Sequence, residues 1–208
     1  MEKFCITINR SFGSWGKTIG MELAEKLGVE YYDRDISRLS SEYSGVAERL
    51  FVQYDETVRN KLFRKFSTAD LNDIVSPDDK KFVSDDNLFR LQAKVIRNLA
   101  EKENCVIIGR CAGYVLTGLP YLVRLFIHAP FDVCVENVQT RFGMSPDEAR
   151  RLVKRTNDNR RAYFKYYTGG RNWGEASNYD LTINTADIGY EKAVDLILDY
   201  MQYKFGNK

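Results

Sequence analysis

Ser11-Phe12-Gly13-Ser14-Trp15-Gly16-Lys17-Thr18 is the stretch on which the reading of this chain turns. It follows a short apolar run at residues 4–8 and precedes residues 17–27, where Ile19, Leu23, Ala24 and Leu27 recur at helical spacing. A Gly-rich turn between strand and helix offers consecutive backbone N–H groups, and the helix N-terminus adds partial positive charge. Gly13 and Gly16 allow close approach or positive φ. Lys17 is placed to bridge two phosphates, and the Thr18 hydroxyl to coordinate Mg²⁺. Gly16-Lys17-Thr18 is therefore the end of a P-loop, with Ser11 standing where the pattern has its first glycine. The alternative is a Gly/Ser-rich turn carrying an incidental Lys-Thr pair. A strand before and a helix after are what the motif needs, and they favour a nucleotide cradle built from Gly13, Ser14, Trp15, Gly16, Lys17 and Thr18.

Outward from the loop, short β-rich apolar runs alternate with longer segments of helical period, the pattern of a parallel sheet covered on both faces by helices. Residues 29–32 read as a second, short strand ending at Asp33. Further strands are predicted at Cys105–Ile108, 122–127 and Leu181–Asn184, and helices at 87–102, Phe131–Phe142 and 190–203. Asp85 or Asp86 is the expected cap of the helix at 87–102. Ser145-Pro146-Asp147-Glu148 is a strong helix start: serine caps, proline suits the first helical position and the acids face the positive end of the dipole. Residues 37–87 change to Tyr-, Arg- and Asp-rich segments, read as an insertion of two helices followed by a polar stretch at 67–86. Residues 150–171 hold eight basic side chains and a Gly169-Gly170 pair. The fold expected is α/β, a P-loop three-layer sandwich with a mainly parallel five-stranded sheet, in one domain of core 1–36, 88–149 and 172–208.

The 208 residues are enough to bury a real core. With 31 Lys and Arg against 29 Asp and Glu, the net charge of +2 excludes the global positive field of a dedicated nucleic-acid binder, so any anion site has to be local. Cys5, Cys105, Cys111 and Cys134 are scattered without a Cys-x-x-Cys pair, and His128 is the single histidine, which argues for reduced thiols rather than a zinc site. The start of the chain shows no basic leader or cleavage site, and no apolar stretch approaches the roughly 18 residues of a membrane helix. The expectation is a soluble cytoplasmic protein with no membrane partner.

With the loop in place, the chain resembles the cytidylate kinase-like family, close to bacterial CMP kinases within the nucleoside monophosphate kinases. The resemblance is carried by Ile6-Thr7-Ile8-Asn9-Arg10 with Phe12-Gly13-Ser14, by Tyr31-Tyr32-Asp33 and by Val106-Ile107-Ile108-Gly109-Arg110-Cys111. It continues through Phe126-Ile127-His128-Ala129-Pro130, Asp158-Asn159-Arg160-Arg161-Ala162-Tyr163-Phe164 and Tyr179-Asp180-Leu181-Thr182-Ile183-Asn184-Thr185. It implies that the insertion 37–87 binds the acceptor and that 150–171 is a basic lid. In CMP kinases an Arg-Asp-x-x-Arg-Ala element of the lid contacts the acceptor nucleotide; here Asp158 and Arg161 match and Asn157 departs. Gly109-Arg110 matches a Gly-Arg whose arginine grips the acceptor phosphate. The next residue is Asp in those enzymes and Cys111 here, which leaves Mg²⁺ to Thr18, the phosphates and, as one alternative, Asp33.

Phosphoryl transfer neutralises charge spread over the transferred group, so convergent cations are a requirement of the reaction. Lys17, Arg110, Arg155 and Arg161 are the catalytic candidates, and Arg160 joins the loop in binding the nucleotide. Asp33, Arg110, Asp158 and Arg161 form the acceptor-binding set. Asp33 either orients the acceptor oxygen or caps a turn. Trp15 either stacks on the donor base or covers the loop. Arg150 and Arg151 read as a solvated helix face paired with Asp147 and Glu148, and His128 as structural. Tyr163, Phe164, Tyr166 and Tyr167 interleave with basic residues as in single-strand binders, but here they read as packing of the lid helix. The function expected is ATP-dependent, Mg²⁺-assisted phosphoryl transfer to a nucleoside monophosphate, CMP or dCMP by resemblance, with no nucleic acid polymer as partner. A kinase of another small metabolite and a nucleotide-binding regulatory module with little turnover are the alternatives.

Overall fold

The computed structural model describes residues 3–54 and 70–206. The first half of the chain gives β1 (Cys5–Arg10), α1 (Gly16–Leu27), β2 (Glu30–Tyr32), α2 (Asp35–Ser44), α3 (Glu48–Tyr54) and α4 (Asp85–Lys102). The second half gives β3 (Cys105–Ile108), the short α5 (Ala112–Val115), β4 (Leu122–His128), α6 (Phe131–Phe142), α7 (Pro146–Tyr167), β5 (Leu181–Asn184) and α8 (Thr185–Phe205). All recorded strand pairings are parallel, in the order β2-β3-β1-β4-β5. The chain leaves β1 toward one edge and later crosses from β3 to β4 on the other side. The C-terminal end of β1 is thus the point where the winding reverses, and open α/β sheets bind ligands in the crevice there.

Alternation along the strands sorts side chains to two faces. Ile6, Ile8, Val106, Ile108, Leu125 and Ile127 pack against Ile19 and Leu23 of α1 and Ala193 and Ile197 of α8. Cys5, Cys105, Ile107 and Phe126 face the other way, against Phe89 and Ile96 of α4 and the aromatic end of α7. Each aliphatic side chain fully buried in these layers contributes about 1.5–3 kcal/mol. Tyr163, Phe164, Tyr166 and Tyr167 are all buried in this second layer, so they pack α7 onto the sheet as the sequence suggests. Two smaller clusters join α6 to α7 through Cys134, Val138 and Val153, and α3 to α4 through Phe51, Leu88 and Leu91. The four cysteines are free and buried.

Several boundaries differ from those expected. β1 runs on to Arg10 because Asn9 and Arg10 find partners in Phe126 and Ile127 of β4, which local apolar pattern does not reveal. The cap of α4 is Ser84, whose extended backbone lets its hydroxyl accept the Asn87 N–H, while Asp85 and Asp86 occupy the first turn. The closing helix starts anew at Tyr190, as expected, after a non-helical Gly189; what the sequence did not show is the short helical turn before it, from Thr185 under an Asn184 cap. The expected start at Ser145 is a full capping box with Glu148. Of the insertion expected at 37–87, residues 55–69 lie outside the described residues, among them 67–69 of its polar stretch.

Candidate active site

The loop between β1 and α1 is packed too closely for side chains at its two glycines. A Cβ on Gly13, which sits at φ +89°, would lie 2.4 Å from the Cys134 carbonyl oxygen, and one on Gly16 would lie 2.5 Å from Arg10 Cβ. Ser14 is buried, its hydroxyl donating to the carbonyls of Ser11 at 2.9 Å and Ile127 at 3.0 Å. The backbone N–H groups of Gly13, Trp15, Gly16, Lys17 and Thr18 have no partner among the described residues. A row of open donors at a helix start is an anion site. Trp15 holds φ +63° and its ring lies 5.5 Å from that of Tyr190 at the start of the continuous part of α8.

Lys17 Nζ reaches the Asp33 carboxylate at 2.8 Å. Asp33 directly follows β2, and its carbonyl accepts a hydrogen bond from Arg110 Nη1. Arg110 Nη2 donates to the buried Ser37 hydroxyl at 3.3 Å. Gly109, Arg110 and Cys111 are three successive residues at positive φ, which folds the chain after β3 back beneath the β2–α2 connection. Among the described residues, the non-glycine residues in this region are Trp15, Arg110 and Cys111. A non-glycine residue there costs about 1–3 kcal/mol. All three follow the C-terminal ends of β1 and β3, beside the same crevice.

A cleft of roughly 440 Å³ opens over the loop. Its described walls carry five cations, Arg10, Lys17, Arg34, Arg141 and Arg160, against the single carboxylate of Asp33. In a nearly neutral chain this is a local positive focus. The loop, Asp33, Arg110 through Asp33, and Arg160 are therefore brought together. Arg160 donates to the Arg10 carbonyl at 3.1 Å and lies 5.7 Å from the Phe12 ring centre. Arg155 and Asp158 instead line a second, more open groove where α6 turns into α7. Arg161 pairs with Asp158 at 2.8 Å and lies over the Trp173 ring. The Lys154 hydrogen bond first, and then the charges of Lys154 and Arg161, hold the Asp158 carboxyl below its ordinary value.

Sequence reasoning assigned no site role to Arg10, Arg34, Arg141, Asn137 or Asn157. Arg10 stood in plain view beside the loop, but the others come from elements whose approach only the tertiary fold sets. For Mg²⁺, Thr18 supplies a hydroxyl on the first turn of α1, and no cluster of three or more His, Cys, Asp or Glu side chains exists among the described residues. A lone hydroxyl is a donor that a hard cation could take when its other ligands are phosphate oxygens and water. His128 stacks on Phe126 in an aromatic row with Tyr179 and Trp173, and burial lowers its pKa. No helix among the described residues is long and apolar enough to cross a membrane.

The sequence profile of the Cytidylate kinase-like family matches residues 5–187. Cytidylate kinase of Sulfolobus acidocaldarius is 28% identical over 116 residues, which is 55% of this chain and 62% of that protein's length. Cytidylate kinase of Halobacterium salinarum is 25% identical over 196 residues, 93% of this chain and 87% of that protein. Among solved structures, an uncharacterized protein from Eubacterium ventriosum superposes with a TM-score of 0.71 at 24% identity, covering 96% of this chain and 99% of its own. Shikimate kinase from Bacteroides thetaiotaomicron gives 0.52 at 15% identity, covering 96% and 98%. At these identities the superpositions speak for the fold, that of the P-loop kinases, while the profile spans most of the sequence: the chain belongs to the cytidylate kinase-like family.

Proposed function

We propose that this protein transfers the γ-phosphoryl group of ATP to a nucleoside monophosphate, with CMP or dCMP as the acceptor. The observation that carries the reading is the charge imbalance at the loop, where among the described residues five cations and one carboxylate line the cleft around a helix start with open N–H groups. Family membership and the two cytidylate kinase relatives support the choice of acceptor.

In this reading the β-phosphate rests on the N–H groups from Gly13 to Thr18, and Lys17 exchanges the Asp33 carboxylate for β- and γ-oxygens. An acceptor phosphate oxygen attacks the γ-phosphorus as the bond to the β–γ bridging oxygen breaks, giving ADP and a nucleoside diphosphate. Charge then spreads over the transferred and leaving oxygens, where Lys17 and Arg160 stabilise it. The Thr18 hydroxyl would hold Mg²⁺, which would supply neutralisation of phosphate charge. Once released from Lys17, Asp33 orients the acceptor oxygen, and Arg110 secures that wall through the Asp33 carbonyl and Ser37. Residues 37–87 form the acceptor side and residues 150–171 the lid. From the lid, Asp158 and Arg161 bind the acceptor nucleotide. Arg155 reaches the transferred group only when α7 shifts, because it lines the outer groove here.

A second reading, a nucleotide-binding module with little turnover, is favoured by the capture of Lys17 by Asp33. One experiment separates them: ADP formation from ATP and Mg²⁺ with a panel of nucleoside monophosphates, beside thermal stabilisation by ATP. CMP or dCMP should raise ADP formation far above basal hydrolysis. Stabilisation by ATP with no acceptor-dependent ADP selects the second reading, and turnover confined to other acceptors removes the cytidylate assignment.

A further inference from the structure

One face of α7 lies against the phosphate loop, and two side chains a turn apart on it reach the loop backbone. Asn157 Oδ1 accepts the Phe12 N–H at 2.7 Å, and Arg160 Nη1 donates to the Arg10 carbonyl at 3.1 Å. From α6, Asn137 Nδ2 donates to the Gly13 carbonyl at 2.8 Å. On the sheet side, the Ser11 N–H donates to the Ile127 carbonyl at 2.9 Å, and Thr185 Oγ1 donates to the Ser14 carbonyl at 3.1 Å. These contacts occupy backbone groups of residues 10–14 and leave the N–H groups of Gly13 and of Trp15 to Thr18 open among the described residues.

Asn157 differs from the other side chains in that it accepts. A backbone N–H needs an acceptor, which a Lys or Arg side chain does not have, so the residue type at this position decides whether the tie exists. Asparagine is also a poor choice in the middle of a 22-residue helix, where its amide competes with the backbone for hydrogen bonds. A long-range contact spanning 145 positions gives it a reason to be there.

We propose that Asn157 is a positioning residue for the phosphate loop: by accepting the Phe12 N–H it fixes the entry of the loop to α7, so the position of α7 sets the shape of the anion cradle. The inference rests on the loop being the donor-nucleotide site of the proposed function. Its consequence is reciprocal, since whatever moves α7 alters nucleotide binding, and nucleotide binding biases α7 by the same factor. Asp158 and Arg161, neighbours of Asn157 on the same helix, would in this way report acceptor occupancy to the loop.

The test uses the full chain with Asn157→Ala, which removes the acceptor, and Asn157→Asp, which keeps it. In the ligand-free protein, the Phe12 amide should exchange about five- to tenfold faster in Asn157→Ala, the scale of one hydrogen bond, and at close to the wild-type rate in Asn157→Asp. In the same Asn157→Ala protein, ADP should bind more weakly and the KM for ATP should rise by a comparable, about five- to tenfold factor, with little change in kcat once ATP saturates. A merely structural residue would lower the melting temperature without this split between KM and kcat. Unchanged Phe12 exchange in Asn157→Ala overturns the inference even if the enzyme phosphorylates CMP normally, as does faster exchange with unaltered ADP affinity. A wild-type protein that binds no ADP removes the proposed function, and the inference falls with it.

Discussion

Lys17 Nζ and the Asp33 carboxylate lie 2.8 Å apart at the mouth of the phosphate loop, with the lysine side chain 45% exposed and the aspartate 14%. The ligand-free cradle thus holds an anion of its own. A half-exposed ion pair contributes only about 0–1 kcal/mol to folding, so the pair matters less for stability than for competition with phosphate. Arriving phosphates must displace the carboxylate, and the displaced carboxylate is then free beside the reacting groups.

Lys17→Ala should therefore abolish transfer with little change in fold stability. Loss of one electrostatic contact in the transition state raises the barrier by about 3–4 kcal/mol, roughly a hundred- to thousandfold in kcat. Steady-state kinetics and thermal unfolding check this together. A variant keeping more than about a tenth of wild-type activity would contradict a phosphate role for Lys17.

Asp33→Asn should separate binding from turnover. The backbone carbonyl that receives Arg110 is retained, but the competing charge on Lys17 is gone. ADP should bind more tightly, by about three- to tenfold for roughly 1 kcal/mol of relieved competition, while kcat falls because the acceptor oxygen loses its partner. Calorimetric titration with ADP beside the kinetics reads both effects. Weaker ADP binding in the variant would mean that Asp33 assists the donor site and does not compete with it.

Gly13→Ala should damage loop and fold together. The added Cβ would sit 2.4 Å from the backbone oxygen of Cys134, at a φ of +89° where no side chain is comfortable. Backbone atoms at the start of α6 cannot swing aside as a flexible side chain can. A loss of at least about 2 kcal/mol in denaturant unfolding is expected, with nucleotide binding undetectable.

The sheet was largely legible in the sequence because each strand has its own apolar signature and the parallel order follows from helices lying between strands. Cys105–Ile108 and Leu181–Asn184 match the expected ranges fully, since turn and cap residues bound both. Asn9 and Arg10 escaped because their strand character comes from β4 alongside, not from hydrophobicity. The same limit applies at the site. Lys17, Gly13 and Gly16 announce themselves through local spacing, whereas Asn137 and Asn157 bond to the loop from 124 and 145 positions away and carry no local signal. Asn157 in particular reads as a departure from the lid pattern and turns out to contact the loop itself.

Asp180 should give an acid-sensitive contribution to stability. Burial pushes its carboxyl up, but the Arg124 side chain and backbone N–H, which donate to it at 2.9 and 2.8 Å, outweigh burial and leave the pKa below the usual value. A depressed carboxylate stabilises the fold fully above its unfolded value, about 3.9, and the stabilisation is lost as pH falls through the lower folded value. Asp180→Asn should cost about 2–3 kcal/mol at neutral pH, where Arg124 is left short of its charge partner. The gap to wild type should narrow below about pH 4. A gap independent of pH would mean that the carboxylate charge plays no part.

Arg150 opens the basic segment and Arg161 lies three turns further along α7, and the two should behave differently. Arg150 is held by Asp132 at 2.9 Å and lies over Phe131, both at the start of α6, so its charge is already matched away from the cleft. Arg161 also has a partner in Asp158, but that partner is shared with Lys154, and its guanidinium faces Trp173 in the aromatic row beneath α7. Several cations on one helix repel each other until phosphates neutralise them, so α7 should settle against the loop most firmly when both nucleotides are bound. Arg161→Ala should then raise the acceptor KM by about tenfold and lower kcat, the loss of one charged contact of about 1.4 kcal/mol or more, while Arg150→Ala stays within about twofold of wild type. Hydrogen exchange over residues 150–170 should slow when ATP and CMP are added together. Equal exchange in both states, with Arg161→Ala fully active, would take α7 out of the mechanism and leave the phosphate loop to act alone.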